Sequence, residues 1–190
     1  ITQETRVQEY DPNIQIPAIL LNYRTPSMQS REARVLDLIS TYLSTGKSSK
    51  LYKKLVDEQK IALEVQAVSL PLEEYGIYAI FALPLGDTPL DQLKTEIDEE
   101  IVALKSDLIS EKDYQKLQNI YENNFVNSNA SIQGVATSLS QYYLFYNDTN
   151  LINSSIEIYK SITREEIKDV ASKYLNDNHR VVMDYLPENK

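Results

Sequence analysis

The 190-residue sequence contains no cysteine and no tryptophan, and it carries one histidine, four glycines and three phenylalanines. Each shortage removes a class of chemistry. Without cysteine there is no disulfide, thiolate metal site or cysteine nucleophile, and the redox compartment stays open, because a thiol-free chain survives in either environment. One imidazole cannot anchor a zinc site, which needs three or four converging His, Cys or carboxylate ligands. His179, between Asn178 and a closing apolar run, reads as a solvated loop residue. Four glycines leave little for an oxyanion loop, and no Gly-x-Ser-x-Gly elbow or Gly-x-Gly-x-x-Gly turn occurs. The fragment Gly46-Lys47-Ser48 has Thr41 where a phosphate-binding loop requires its first glycine, and a helical pattern where it requires a strand.

Positive charge is also short: 28 acidic residues face 19 basic ones, a net charge of -9. That balance repels phosphate backbones, and no basic stripe interleaves with aromatics, so nucleic acid is not an expected partner. No apolar run approaches the roughly 20 residues of a membrane-spanning helix, so no membrane span is expected. The sequence opens at Ile1 without a signal or transit segment, which suggests a processed or trimmed product of a larger parent. Localisation stays open, with cell envelope, periplasm and cytoplasm all compatible.

What is present has globular proportions, 42% hydrophobic and 25% charged, with 14 tyrosines. Residues 5–10 and 16–24 read as strands around the turn-like Asp11-Pro12-Asn13, with Ile19, Leu21 and Tyr23 on one face. From Glu32 to Ser44, Val35, Leu36, Ile39, Tyr42 and Leu43 recur at helical spacing, and Gly46 offers a left-handed exit. Ser48 or Ser49 is expected to cap a shorter helix carrying Leu51, Tyr52, Leu55 and Val56. The period then falls to two: Ile61, Leu63, Val65 and Ala67 alternate with Ala62, Glu64 and Gln66, and residues 75–83 supply the second arm of an antiparallel hairpin. Thr88 as cap and Pro89 at the first position open a helix striped by Leu93, Ile97, Ile101, Leu104 and Leu108. Ser110 with Asp113 opens a helix through Tyr114, Leu117, Tyr121 and Phe125. Another carries Ile132, Val135, Leu139, Tyr142 and Tyr146. A Thr163–Glu166 capping box starts a helix with Ile167, Val170, Ala171 and Tyr174, and residues 180–186 close the chain as a strand.

This order, without repeat or flexible linker, predicts a single α+β domain over residues 1–190, a mostly antiparallel sheet with helices layered on one face. Asp98, Glu99 and Glu100 lie off the helix stripe and read as a solvated face, not a catalytic carboxylate pair. Tyr142, Tyr143, Phe145 and Tyr146 are denser than one buried stripe requires. They suit core packing first, and otherwise an interface or chamber wall.

Three stretches carry a resemblance. They are Gly46-Lys47-Ser48-Ser49-Lys50-Leu51-Tyr52-Lys53-Lys54-Leu55-Val56 leading into Ile61-Ala62-Leu63-Glu64-Val65, Ile162-Thr163-Arg164-Glu165-Glu166-Ile167-Lys168-Asp169-Val170-Ala171, and Arg180-Val181-Val182-Met183-Asp184-Tyr185-Leu186-Pro187. In this order they resemble the C-terminal domain of each half of the insulinase-like zinc metallopeptidases, the family of pitrilysin and mitochondrial processing peptidase. The resemblance implies a processing-peptidase-like fold and a parent whose halves close around an unfolded peptide substrate. Zinc is then expected in a neighbouring domain, on a His-x-x-Glu-His helix absent here. Its implied partners are that zinc-binding domain and a second peptidase half. Domains of the non-catalytic half often carry an Arg and, seven residues later, a Tyr that hold substrate. Those positions fall on Val56 and Leu63, so the substrate clamp is absent, and the resemblance points to the second domain of the catalytic half. It thus implies a support domain with no catalytic or metal-ligating residue and no cofactor of its own. A catalytically inactive structural or assembly subunit of the same fold is the alternative, and a free-standing binding module is a third.

Overall fold

The computed structural model describes residues 1–188. Five strands form one sheet: β1 (Thr5–Asp11), β2 (Ala18–Pro26), β3 (Ala62–Leu70), β4 (Tyr75–Pro84) and β5 (Arg180–Pro187). Their spatial order is β1-β5-β2-β4-β3. β1 and β5 run parallel, and every other pairing is antiparallel. The helices are α1 (Arg31–Ser44), α2 (Leu90–Ser106), α3 (Glu111–Ser128), α4 (Ile132–Tyr146), α5 (Leu151–Lys160) and α6 (Arg164–Tyr174). The α+β class and the helix-on-sheet layering agree with the sequence.

Alternation explains the core. Ile19, Leu21 and Tyr23 of β2, Tyr78, Ile80 and Ala82 of β4 and Val182 of β5 all point to the helical side and are buried. Against them lie Leu36, Ile39 and Leu43 of α1, Leu93, Ile97 and Ile101 of α2, and Ile167 and Ala171 of α6. Ser30 caps α1, its side chain accepting the Glu32 N–H. Gly46, at φ +77, then turns the chain in the left-handed region that other residues resist. The Thr163–Glu166 capping box is present in both directions. Gly134 sits where α4 turns against α3, and a Cβ there would lie 1.9 Å from the Ser128 carbonyl oxygen.

Several expectations change. β1 and β2 flank a turn but are not neighbours, because β5 lies between them. Neither Ser48 nor Ser49 caps a helix: Ser49 Oγ donates to the Gly46 carbonyl at 2.7 Å, and Ser48 Oγ accepts from Lys116 Nζ at 2.7 Å. The following segment, Tyr52–Glu58, winds as a π-helix. A register shift between Ala62 and Glu64 puts Ala62 and Val65 in the core and leaves Leu63 46% exposed. Pro89 itself occupies the cap of α2, one residue later than expected, while Thr88 Oγ1 donates to the Leu85 carbonyl. α2 ends at Ser106, so Leu108 faces out and Ile109 turns in. α4 buries none of its residues. α5 has no counterpart in the sequence reading.

Candidate docking face and tyrosine cluster

Acidic residues gather at two places, and each gathering encloses a cation. Arg180 opens β5 with its side chain fully buried beneath α2. Its Nη2 lies 2.9 Å from Asp98 Oδ2, its Nη1 donates to Tyr23 Oη at 2.9 Å and its Nε to Glu4 Oε2 at 2.7 Å. Lys94 Nζ adds a contact to Asp98 at 3.1 Å. Burial pushes the Asp98 carboxyl up, but the Arg180 hydrogen bonds and charge, joined by Lys94, outweigh it and hold the group below the usual carboxylate range. Asp98 is therefore half of a buried ion pair and not part of a solvated face. Its sequence neighbours Glu99 and Glu100 join Glu96 around Lys54 Nζ, at 2.8, 3.3 and 3.0 Å respectively. On β1, Arg6 forks onto Asp184 at 2.8 and 2.9 Å.

These carboxylates do not fit a zinc site, since each is already neutralised by Lys or Arg. Among the described residues no three His, Cys, Asp or Glu side chains converge as a metal would require. His179 lies exposed in a 3-10 turn, Asp177–His179. No nucleophile with a neighbouring base emerges from this arrangement.

The aromatic segment divides. Tyr142 and Tyr146 turn inward, where Tyr142 Oη meets Ser155 Oγ at 3.0 Å and Tyr146 donates to the Met28 carbonyl at 3.1 Å. Phe145 is half-buried, its carbonyl accepting from Gln29 Nε2 at 2.7 Å, and Tyr143 is 63% exposed. Beneath them Tyr121 and Tyr159 stack with centroids 3.4 Å apart. Tyr159 donates to Asp37 Oδ2 at 3.3 Å. Burial raises the Asp37 carboxyl, and this one phenol offsets it only in part. Sequence spacing singles out Tyr142 and Tyr146, and Tyr121 on its own helix stripe, but not Arg34, Asp37 or Tyr159, which the fold brings to them. The available signal was charge: residues 123–147 contain none, in a chain that is 25% charged.

Val56 is partly buried against the core, whereas Leu63 lines an apolar groove at the end of the sheet with Ile16, Pro84 and Leu186. The two positions share no site.

Among the described residues no helix covers the sheet's other face. Register places Leu20, Phe81 and Gln66 in one row across it and Val68 with Ala79 in another, with Met183 beside Leu20. Val68, Leu70, Tyr75 and Ile77 are each 37–51% exposed. β4 is thus apolar on both faces, the pattern of a strand covered on two sides, though only one side is covered within this domain.

The family model described as the peptidase M16 inactive domain matches residues 2–121. The chain belongs to this family. Zinc protease PqqE of Helicobacter pylori is 24% identical over 159 residues, which are 84% of this chain and 36% of that protein. The crystal structure of a protease from the same organism superposes with a TM-score of 0.88 at 21% identity, covering 96% of this chain and 44% of that one. The peptidase M16 inactive domain from Pseudomonas fluorescens gives 0.80 at 14% identity, with 99% and 44% covered. This inactive-domain chain therefore spans less than half the length of these relatives. No helix among its described residues is long and apolar enough to cross a membrane.

Proposed function

We propose that this chain is the non-catalytic support domain of a zinc metalloendopeptidase, packing on a zinc-binding domain and forming part of the wall of a chamber that takes unfolded peptides. The observation that carries this reading is the helix-free sheet face. An apolar sheet face left uncovered marks a surface that a partner covers, and here the helices supply one cover and the neighbouring domain the other. Zinc belongs to that neighbour, because the carboxylates of this chain are committed to Arg180, Arg6 and Lys54. With Val56 and Leu63 where the resemblance expects a substrate-holding Arg and Tyr, the domain is read as the second of the catalytic half, meeting a second peptidase half across the chamber.

The test is to express this chain beside the domain encoded next to it in the parent reading frame. Ile77→Lys and Val68→Lys should leave the melting temperature of this chain unchanged and abolish co-purification. Undiminished co-purification of both variants would overturn the sheet-face assignment. A neighbouring domain without His-x-x-Glu-His, or zinc-dependent cleavage of a fluorogenic peptide by this chain alone, would overturn the support role.

A further inference from the structure

α1 presents two opposite charges to one cleft and pairs neither. Arg34 and Asp37, three residues apart on the same helical face, both line a cleft of about 270 Å³ walled by Tyr121, Tyr142, Tyr146 and Tyr159. Neither forms a salt bridge among the described residues. Arg34 stands over the Tyr146 ring at 5.8 Å, and Asp37 has the single phenol of Tyr159. Asp37, Tyr121 and Tyr142 also line a second cleft of about 280 Å³. There the buried Oδ1 of Asn129 has no hydrogen-bond partner. Elsewhere the fold satisfies its enclosed charges fully, as around Arg180. Here a cation and an anion face one cleft with an orphan acceptor in the next, and an uncompensated enclosed charge is costly.

We infer that the cleft beneath α4 is a binding site for a small zwitterion, an α-amino acid with an apolar side chain. Its ammonium lies beside Asp37, its carboxylate beside Arg34, and its side chain against the tyrosine rings. An ammonium restores the missing partner of Asp37 and gains from the ring faces. A carboxylate takes the fork of Arg34. The cleft volume suits a single residue and not an extended peptide. Access is provided by α4, which contributes no buried side chain and is held over the cleft by the Tyr142, Tyr146 and Gln29 hydrogen bonds. This inference goes beyond the support role and does not depend on it.

The test is calorimetric titration of the whole chain with L-leucine and L-phenylalanine, with N-acetyl-leucine and leucine amide as forms lacking one charge. Leucine or phenylalanine should bind saturably with a Kd on the order of millimolar, as befits so small a ligand. Both blocked forms should bind at least tenfold more weakly. Asp37→Asn and Arg34→Gln, checked for an unchanged circular dichroism spectrum, should each lose at least tenfold. The blocked ligands keep the test decisive if either variant misfolds. No saturable binding by either amino acid would overturn the proposal, as would equal binding of a blocked form. The first result would mean that Arg34 and Asp37 close on each other or on water.

Discussion

The seam between α2 and β5 and the cleft between α1 and α4 each enclose a carboxylate, and they treat it in opposite ways. At the seam Asp98 meets the fork of Arg180 and the amine of Lys94, with Glu4 and Tyr23 taking the remaining guanidinium donors. In the cleft Asp37 has one phenol. Burial raises both carboxyls, and only Asp98 has enough opposing charge to end below its ordinary value. The difference separates what holds the domain together from what leaves it open to a ligand. A saturated network joins the chain's last strand to the buried stripe of α2, while an unsaturated one sits under a helix with no fully buried residue.

Breaking the seam should give the largest effect. Arg180→Ala leaves Asp98 and Glu4 without their guanidinium, and is expected to cost about 3–5 kcal/mol, read from the urea unfolding midpoint at constant slope. A loss below about 1 kcal/mol would mean that water replaces the arginine without cost. The two helices offer the next contrast. Ile97→Ala empties a fully buried position on α2 and is expected to cost about 2–5 kcal/mol. Leu144→Ala on α4, where Leu144 is 70% exposed, should change stability by no more than about 0.5 kcal/mol. Equal losses would show α4 to be packed as firmly as α2.

The smallest expected effect is a change of sign with pH. Asp98, held low, contributes stability that is present above the unfolded carboxyl value of about 3.9 and is lost as pH falls through its lower folded value. Asp37, held high, does the reverse: the folded state is penalised increasingly as pH rises from about 3.9 through its raised folded value. At pH 7 Asp98→Asn should therefore lower the unfolding midpoint and Asp37→Asn should raise it slightly. In acid, below all these values, both differences should shrink. A destabilised Asp37→Asn at pH 7 would show that Asp37 has a partner after all.

Sequence pattern carried the elements whose cause is local. The α1 stripe, the Thr163–Glu166 box, the β3–β4 hairpin and the α2 stripe through Leu104 follow from residues within a turn or two of one another. α5 escaped because its cap, Asn150, accepts from the Asn153 side chain and not from a helix N–H, and neither glycine nor proline marks its ends. Strict alternation puts Leu63 on one face with Val65 and Ala67 because it ignores the bulge beside Leu63. Asp98 read as solvated because it lies off its own helix's stripe, and nothing near it in the chain announces that Arg180, 82 residues later, arrives opposite. The family resemblance was legible from three stretches, but the cleft was not. Its walls come from α1, α3, α4 and α5, and the clearest trace along the chain is a charge-free run with no fully buried residue.

The place of β5 bears on how the molecule can be made. A chain emerging from the ribosome delivers β1 and β2 early, yet the slot between them is filled by residues 180–187. Until those residues emerge, both early strands keep an open hydrogen-bonding edge, and Asp98 and Glu4 wait for a guanidinium not yet synthesised. The hairpin of β3 and β4 can fold ahead with β2, but sheet completion is a late, non-local event of the slow kind. The final strand thus works as a keystone, and a nascent chain stalled before Arg180 exposes two sticky edges that invite aggregation.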